Sequence, residues 1–255
     1  MTAIKHIELK LVQQFQNRET FSRDELFHFF QAWDPDLKEG TLAWRIHDLK
    51  RKQIIKDVKK GIYTLEHKQD FRPEPDPIIS QLSSFMENST NHQFYNVWTT
   101  AWLNELIELQ ATSFLYILEV DKDSMQSVFF SLKDEGTGLN LFFKPDEKVI
   151  ETYISELSEA IIVEPMISRA PVMKVKGIIF PTLEKILVDL FCEEKLFFAY
   201  QGQQLVKIYE ACLDKYSINF SRLFNYAKRR KRDEALKSFL MANNRLHEKI
   251  KEIIE

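Results

Sequence analysis

The sequence has little of what several specialised protein classes require. It contains two cysteines, six glycines and eight prolines in 255 residues, which excludes a disulfide framework, a collagen-like repeat and a low-complexity chain. Its apolar runs, such as 161–163 and 177–180, are far too short to cross a bilayer. Residues 1–10 alternate charged and aliphatic side chains and have no signal-peptide core. These features predict a cytoplasmic globular protein.

Motifs for cofactor, metal and nucleophilic chemistry are also missing. There is no GxxxxGK[ST], HExxH or GxSxG motif. Residues 136–138 (Gly-Thr-Gly) lack the third glycine and the following helix of a dinucleotide loop. The six histidines are scattered, and His28 and His47 suit the surface better than a metal site. Cys192 and Cys212 belong to no Cys/His cluster. From these absences together we predict no catalytic residue, no metal and no cofactor.

What is present is ample core material, with 44% hydrophobic residues and 20 Phe. In residues 1–67 the pattern predicts three helices followed by a β-hairpin with strands at 53–58 and 62–65. Ser22 and Glu25 form a capping box that starts the second helix. This element order is that of a winged helix-turn-helix. The residues expected on the inner faces of the helices are Ile4, Ile7, Leu11, Phe15, Leu26, Phe29, Phe30, Trp33, Leu42, Ile46 and Leu49.

Residues 68–77 contain three prolines and are predicted to be a linker, either extended or packed as a strap on one of the domains. Residues 78–255 predict an α/β domain with a helical C-terminus. Thr99-Thr100 should open a helix, Asp121 should cap the next one, and Pro181 should open the most apolar one. Strands are predicted at 92–98, 113–120, 139–143, 160–163, 172–175 and 178–180.

Basic residues cluster between Arg45 and Lys60, with seven Lys or Arg against two Asp. With its apolar stripe turned inward, the third helix presents short polar and cationic side chains beside a Lys-Lys-Gly hairpin tip. Such a helix suits the DNA major groove, and the tip suits neighbouring phosphates. The alternatives are a solvated charged face on a winged helix that binds protein, and a winged-helix adaptor whose basic face binds protein or RNA. The predicted DNA-binding residues are Thr41, Trp44, Arg45, His47, Arg51, Lys52, Lys59 and Lys60.

A second basic cluster occupies residues 222–232, which contain six basic residues and no acid. One reading is a solvated helix surface. The other is an anion-facing patch for RNA, DNA or an acidic partner. Its members are Arg222, Lys228, Arg229, Arg230, Lys231 and Arg232.

Two carboxylates close the strongest predicted strand. Alternation places Glu119 and Asp121 on the same side, as a magnesium-dependent nucleotidyltransferase requires at the carboxyl end of a strand. Such enzymes also need a glycine-containing phosphate turn, and the corresponding junction here is Thr99-Thr100. The favoured reading is therefore that Asp121 caps a helix and Glu119 is an ordinary polar residue. An active nucleotidyltransferase is the alternative.

The chain resembles the AbiEi-type antitoxin and transcriptional-regulator family of type IV toxin–antitoxin and abortive-infection systems. The resemblance covers about residues 1–240 and is carried by segments 21–33, 42–51, 60–63, 97–105, 119–123, 160–163 and 181–190. It implies an N-terminal winged helix that binds repeats in its own promoter and represses transcription. It also implies a second domain with a degenerate nucleotidyltransferase fold, which counters a neighbouring nucleotidyltransferase-like toxin in phage defence or plasmid maintenance. We assign the neutralising surface to the basic cluster at 222–232.

Overall fold

A computed structural model describes residues 3–66, 68–88, 94–108, 110–136 and 138–254. The protein is mixed α/β, as the sequence predicts. An N-terminal unit (3–66) packs against a larger C-terminal unit (68–254). Parts of two predicted features, the start of the strand at 92–98 and the centre of the turn at 136–138, lie outside the described residues.

The N-terminal unit contains the three predicted helices and the predicted hairpin. A short strand before the second helix joins the hairpin in an antiparallel sheet of order β1-β3-β2. Ser22 Oγ accepts the Glu25 N–H, and the Glu25 carboxylate accepts the Ser22 N–H, so the capping box is confirmed. The elements are α1 (Ala3–Phe15), β1 (Phe21–Ser22), α2 (Arg23–Gln31), α3 (Glu39–Arg51), β2 (Lys56–Lys59) and β3 (Ile62–Thr64).

Trp33 does not lie on the inner face of α2, and that prediction was wrong. The helix ends at Gln31, and Trp33 closes a tight turn by donating its N–H to Phe30. Leaving the helical register turns the indole outward, where it is 47% exposed and meets the edge of His6. The Asp34-Pro35 pair that follows disfavours the helical conformation, so α2 ends earlier than the apolar spacing predicts. The side chain of Ile4 is outside the described part of the chain.

The C-terminal unit is built on a four-stranded sheet of order β4-β5-β7-β6. Strand β4 is antiparallel to β5, while β5, β7 and β6 are parallel. The strands are β4 (Tyr95–Thr99), β5 (Phe114–Val120), β6 (Leu141–Phe143) and β7 (Glu159–Pro165), with a separate hairpin of β8 (Val172–Val175) and β9 (Ile178–Pro181). The α-helices are α4 (Pro77–Asn88), α5 (Met125–Asp134), α6 (Glu147–Thr152), α7 (Leu183–Cys192), α8 (Gln203–Lys215), α9 (Phe220–Arg229), α10 (Asp233–Ala242) and α11 (Asn244–Ile254).

Two predicted helix starts and the type of a third predicted helix differ from the structure. Thr100 opens a 3-10 helix, Thr100–Leu106, rather than an α-helix. Helix α5 is preceded by Ser124, so Asp121 does not cap it; only the Asp121 carbonyl accepts the Ser124 N–H. Pro181 is the last residue of β9, and Thr182 occupies the N-cap of α7. Helices α5 and α7 begin two to three residues later than predicted, because the preceding residues belong to a turn or to the β8–β9 hairpin.

Two hydrophobic cores lie on opposite faces of the central sheet. Side chains alternate along each strand, so Ile117 and Ile162 face α7 and the C-terminal helices, while Leu118 and Ile161 face α4, α5 and the β8–β9 hairpin. Helix α7 is buried along nearly its whole length, including its charged residues. No helix in the described part of the chain is both long and apolar enough to span a bilayer.

Residues 68–77 form a packed strap and not a free linker. Gln69 bridges to Tyr216, with its carbonyl accepting the Ser217 N–H at 2.9 Å. Phe71 packs edge-on against Trp102 and Tyr216. Of the two readings left open by the sequence, the structure shows the strap.

The hairpin of the N-terminal unit also enters the core of the C-terminal unit. Val58 on β2 is buried in the cluster that contains α7, α8 and α9. Lys56 Nζ donates to the Lys68 carbonyl at 2.9 Å and to Ser217 Oγ at 3.1 Å. The boundary that the sequence places at 67–78 is therefore crossed by a continuous apolar and polar interface.

Candidate nucleic-acid interface and buried ion network

The outward side of α3 is exposed as the sequence predicts. Leu42, Ile46 and Leu49 are buried in the N-terminal core. Trp44 is 65% exposed. We use the name α3 face for the exposed side chains Thr41, Trp44, His47, Arg51 and Lys52.

Intramolecular carboxylates balance much of the charge on the α3 face. Asp48 pairs with Arg51 at 2.6 Å and with Lys52 at 2.6 Å. Lys52 also reaches Glu8 of α1 at 2.6 Å. Hydrogen bonding to Lys52, and then to Arg51, lowers the pKa of Asp48. These are surface pairs of small net energy, so a phosphate could exchange with Asp48 at little cost.

Arg45 plays a different part from its neighbours. Its guanidinium pairs with Asp34 at 2.7 Å and lies 5.0 Å from the centre of the Phe30 ring. The side chain is 25% exposed. Arg45 thus connects α3 to the turn after α2. Its guanidinium is already bound, so it is not one of the free side chains of the α3 face.

The hairpin tip is hydrogen-bonded to the C-terminal helices. Lys59 Nζ donates to the Ile253 carbonyl at 2.7 Å, and the Lys60 N–H donates to Ser221 Oγ at 2.7 Å. The Lys60 side chain remains exposed. Gly61 has a φ of +79°, a left-handed conformation that suits glycine in this tight turn. The tip therefore keeps one lysine outward while its backbone is held by α9.

The basic cluster at 222–232 divides into anchored and free side chains. Arg230 is mostly buried and pairs with Asp189 at 3.1 Å and with Glu193. Arg232 pairs with Glu194 at 3.0 Å and stacks over the Phe191 ring. Arg222 is bound to Glu184 at 3.2 Å. Within the described residues, Lys228, Arg229 and Lys231 have no ion-pair partner and are exposed.

A buried ion network links β5 to α7. Lys185, fully buried, donates to Glu119 at 2.7 Å and to Asp189 at 2.6 Å. Asn96 Nδ2 donates to Glu119 Oε2 at 2.7 Å, and the Tyr226 hydroxyl donates to Asp189 at 2.8 Å. Burial lowers the pKa of Lys185, but the two adjacent carboxylates outweigh burial and hold its pKa above the ordinary value. The network fixes α7 against the sheet with charged groups.

Sequence reasoning placed Glu119 at a strand end but missed its partners. Lys185 and Asp189 stand one helical turn apart in a helix whose other residues are almost all apolar. Charges at i and i+4 inside such a helix are expected to pair when the helix is buried. The i, i+4 spacing of Lys185 and Asp189 is therefore the sequence signal that predicts this buried pair.

Glu164 lies beside this network at the end of β7, in register with Glu119. Burial, followed by the charge of Glu193, raises the pKa of Glu164 to about 7. Lys144 and Arg230 act in the opposite direction. Among the described residues Glu164 has no hydrogen-bond or ion-pair partner, so no bonded cation offsets the burial of its carboxyl.

The two carboxylates considered for metal chemistry are not exposed together. Glu119 is buried and bound to Lys185, whereas Asp121 is at the surface. The hydroxyls of Thr99 and Thr100 are buried and accept backbone N–H groups. No group of three or more His, Cys, Asp or Glu side chains in the described part of the chain is placed to hold a metal ion.

Comparison with curated proteins returned no match. A family model described as a family of unknown function, DUF6577, matches residues 41–246. The match begins at α3 and runs through the hairpin, the strap and the sheet into α11, so it includes the docked hairpin and the buried ion network together. Because the match spans well over half of the chain, this protein belongs to the DUF6577 family.

Proposed function

We propose that the protein is a DNA-binding transcriptional autorepressor whose N-terminal unit acts as a winged helix-turn-helix. The observation that carries the proposal is the α3 face, a helix that buries its apolar stripe and exposes Trp44 with polar and cationic neighbours. Arg51 and Lys52 supply groups for base edges and phosphates, and Trp44 supplies an apolar contact for a thymine methyl. The exposed Lys60 side chain of the hairpin tip is the phosphate contact beside the helix.

The docked hairpin supports this assignment in a specific way. A wing held by Ser221 and by the shared core around Val58 is fixed relative to α3. A fixed wing loses less conformational entropy when it meets a phosphate than a free hairpin would. We therefore assign phosphate contact to Lys60, and we expect a smaller share from Lys59, whose ammonium group is held by the Ile253 carbonyl.

The test is duplex binding by the full-length protein as a function of salt. The probes are the DNA immediately upstream of its own gene and a scrambled duplex of equal length. Arg51→Ala should weaken binding to the upstream duplex by about 1–3 kcal/mol and reduce the preference over the scrambled probe. Lys60→Ala should weaken binding to both probes equally and reduce the salt slope by about one.

Lys133→Ala is the matched control, because Lys133 is an exposed lysine on α5, at the opposite face of the sheet. It should leave affinity, preference and salt slope unchanged. Wild-type protein that binds both duplexes equally would remove the repressor proposal. Unchanged binding by both Arg51→Ala and Lys60→Ala would contradict the assignment of the α3 face and the hairpin tip as the DNA interface.

We also propose, from the resemblance to AbiEi-type antitoxins, that the C-terminal unit counters a nucleotidyltransferase-like toxin. For this role we propose Lys228, Arg229 and Lys231, because the other members of the basic cluster, Arg222, Arg230 and Arg232, are held in ion pairs. Co-expression of the adjacent gene product with wild-type protein or with Lys228→Glu/Arg229→Glu tests it. Loss of protection only in the charge-reversed variant is expected, and full protection by that variant would contradict the assignment.

A further inference from the structure

A cleft with cations on both walls lies between α9 and the segment that joins β7 to β8. One wall is α9, on which Arg222, Asn225, Tyr226 and Arg229 share one face at i, i+3, i+4 and i+7. Lys228 of the same helix also lines the cleft. The other wall is formed by Arg169 and Pro171. The cleft has a volume of about 770 Å³, within the range of small-molecule sites.

The positive charge in the cleft is uncompensated. Arg222 is bound to Glu184, but the side chains of Arg169, Lys228 and Arg229 have no ion-pair or hydrogen-bond partner in the described part of the chain. The protein as a whole has a net charge of −3. Elsewhere on this surface most lysines and arginines form an ion pair with a carboxylate. The three unpaired cations that line this cleft are therefore an exception.

The segment that presents Arg169 is held in place. Arg169 has a φ of +56°, a left-handed conformation that is costly for a residue with a Cβ. The turn is closed by the Ala170 N–H, which donates to the Ile167 carbonyl at 3.0 Å. The Pro171 carbonyl accepts the Thr182 N–H at the start of α7, also at 3.0 Å. The backbone of Arg169, a residue that lines the cleft, is thus fixed and strained.

We propose that this cleft binds a small polyphosphate, with its phosphates on Arg169, Lys228 and Arg229. Guanidinium and ammonium groups form charge-assisted hydrogen bonds with phosphate oxygens, and several cations that line one cleft attract a compact anion together. The proline ring of Pro171 and the free amide of Asn225 are available to a base, so a nucleoside triphosphate should bind more tightly than inorganic triphosphate. The proposal deepens the toxin-related role above, since it assigns a ligand to part of the same surface.

The experiment is calorimetric titration of the purified full-length protein with ATP and with inorganic triphosphate, in low salt and without metal. Arg169→Asn removes the guanidinium and keeps a residue that tolerates the left-handed conformation. Arg169→Asn and Lys228→Ala/Arg229→Ala should each weaken ATP binding at least about tenfold, the equivalent of one charge-assisted hydrogen bond. Lys133→Ala should bind ATP as the wild type does, and thermal unfolding of each variant checks that it is folded.

Equal ATP affinity in the wild type and the cleft variants would overturn the proposal, as would no binding of either probe by the wild type. Tighter binding of inorganic triphosphate than of ATP would keep the phosphate site and remove the base contact. Cleft variants that lose affinity for duplex DNA and keep ATP affinity would reassign the cleft to nucleic acid. Because the readout needs no toxin and no promoter, this proposal can fail while repression and protection both hold.

Discussion

Lys185→Ala should destabilise the protein by about 3–5 kcal/mol. The Lys185 ammonium lies between Glu119 and Asp189 and is completely buried. Its removal leaves the buried Glu119 carboxylate without a cation, whereas Asp189 keeps Arg230 at 3.1 Å. Breaking a buried pair from one side costs this much because the desolvated Glu119 charge is uncompensated. The measurement is urea unfolding at pH 7, followed by circular dichroism, with the midpoint and slope compared with those of the wild type.

Lys195→Ala is the matched control for this prediction. Lys195 forms an ion pair with Glu147, but both side chains are more than half exposed, and such surface pairs contribute about 0–1 kcal/mol. Lys185→Met combined with Glu119→Gln should recover part of the loss, since it removes the uncompensated Glu119 charge along with the lysine. If Lys185→Ala and Lys195→Ala shifted the midpoint equally, the network would not hold α7 on the sheet.

Glu164→Gln should raise stability above neutral pH by about 1–3 kcal/mol and change it little near pH 4. The ordinary pKa of the carboxyl is 4.5, and burial with the Glu193 and Glu119 charges raises it to about 7 in the folded protein. Below pH 4.5 both states are protonated. As the pH rises toward 7, the unfolded chain ionises first, so the folded state loses stability across this window; the full loss is present above it.

The glutamine variant stays neutral throughout, so its advantage over the wild type should grow between pH 4.5 and 7 and then level off. Urea midpoints of both proteins measured from pH 4 to pH 8.5 give this difference directly. Glu151→Gln, at an exposed position on α6, controls for removal of one negative charge. A pH-independent difference between Glu164→Gln and wild type would contradict the raised pKa.

Local physics allowed the sequence alone to predict most elements of this protein. The Ser22–Glu25 capping box lies at the start of α2, and the stripe of Leu42, Ile46 and Leu49 sets which side of α3 is exposed. The uninterrupted apolar run at 160–163 indicates a strand buried on both faces. These features depend on neighbours within a few residues, so periodicity and capping chemistry suffice to predict them.

Tertiary structure decided the environment of the charges. The sequence presents Lys59, Arg45 and Arg230 as members of basic clusters, yet the fold gives them the Ile253 carbonyl, Asp34 and Asp189 as partners. It also joins Lys185 to a glutamate 66 residues earlier in the chain. Composition counts charges along the chain, whereas the availability of a charge to a ligand depends on which distant groups packing brings within about 3 Å. Which lysines and arginines stay unpaired therefore depends on the distant carboxylates and carbonyls that the fold places within reach and on how deeply each pair is buried.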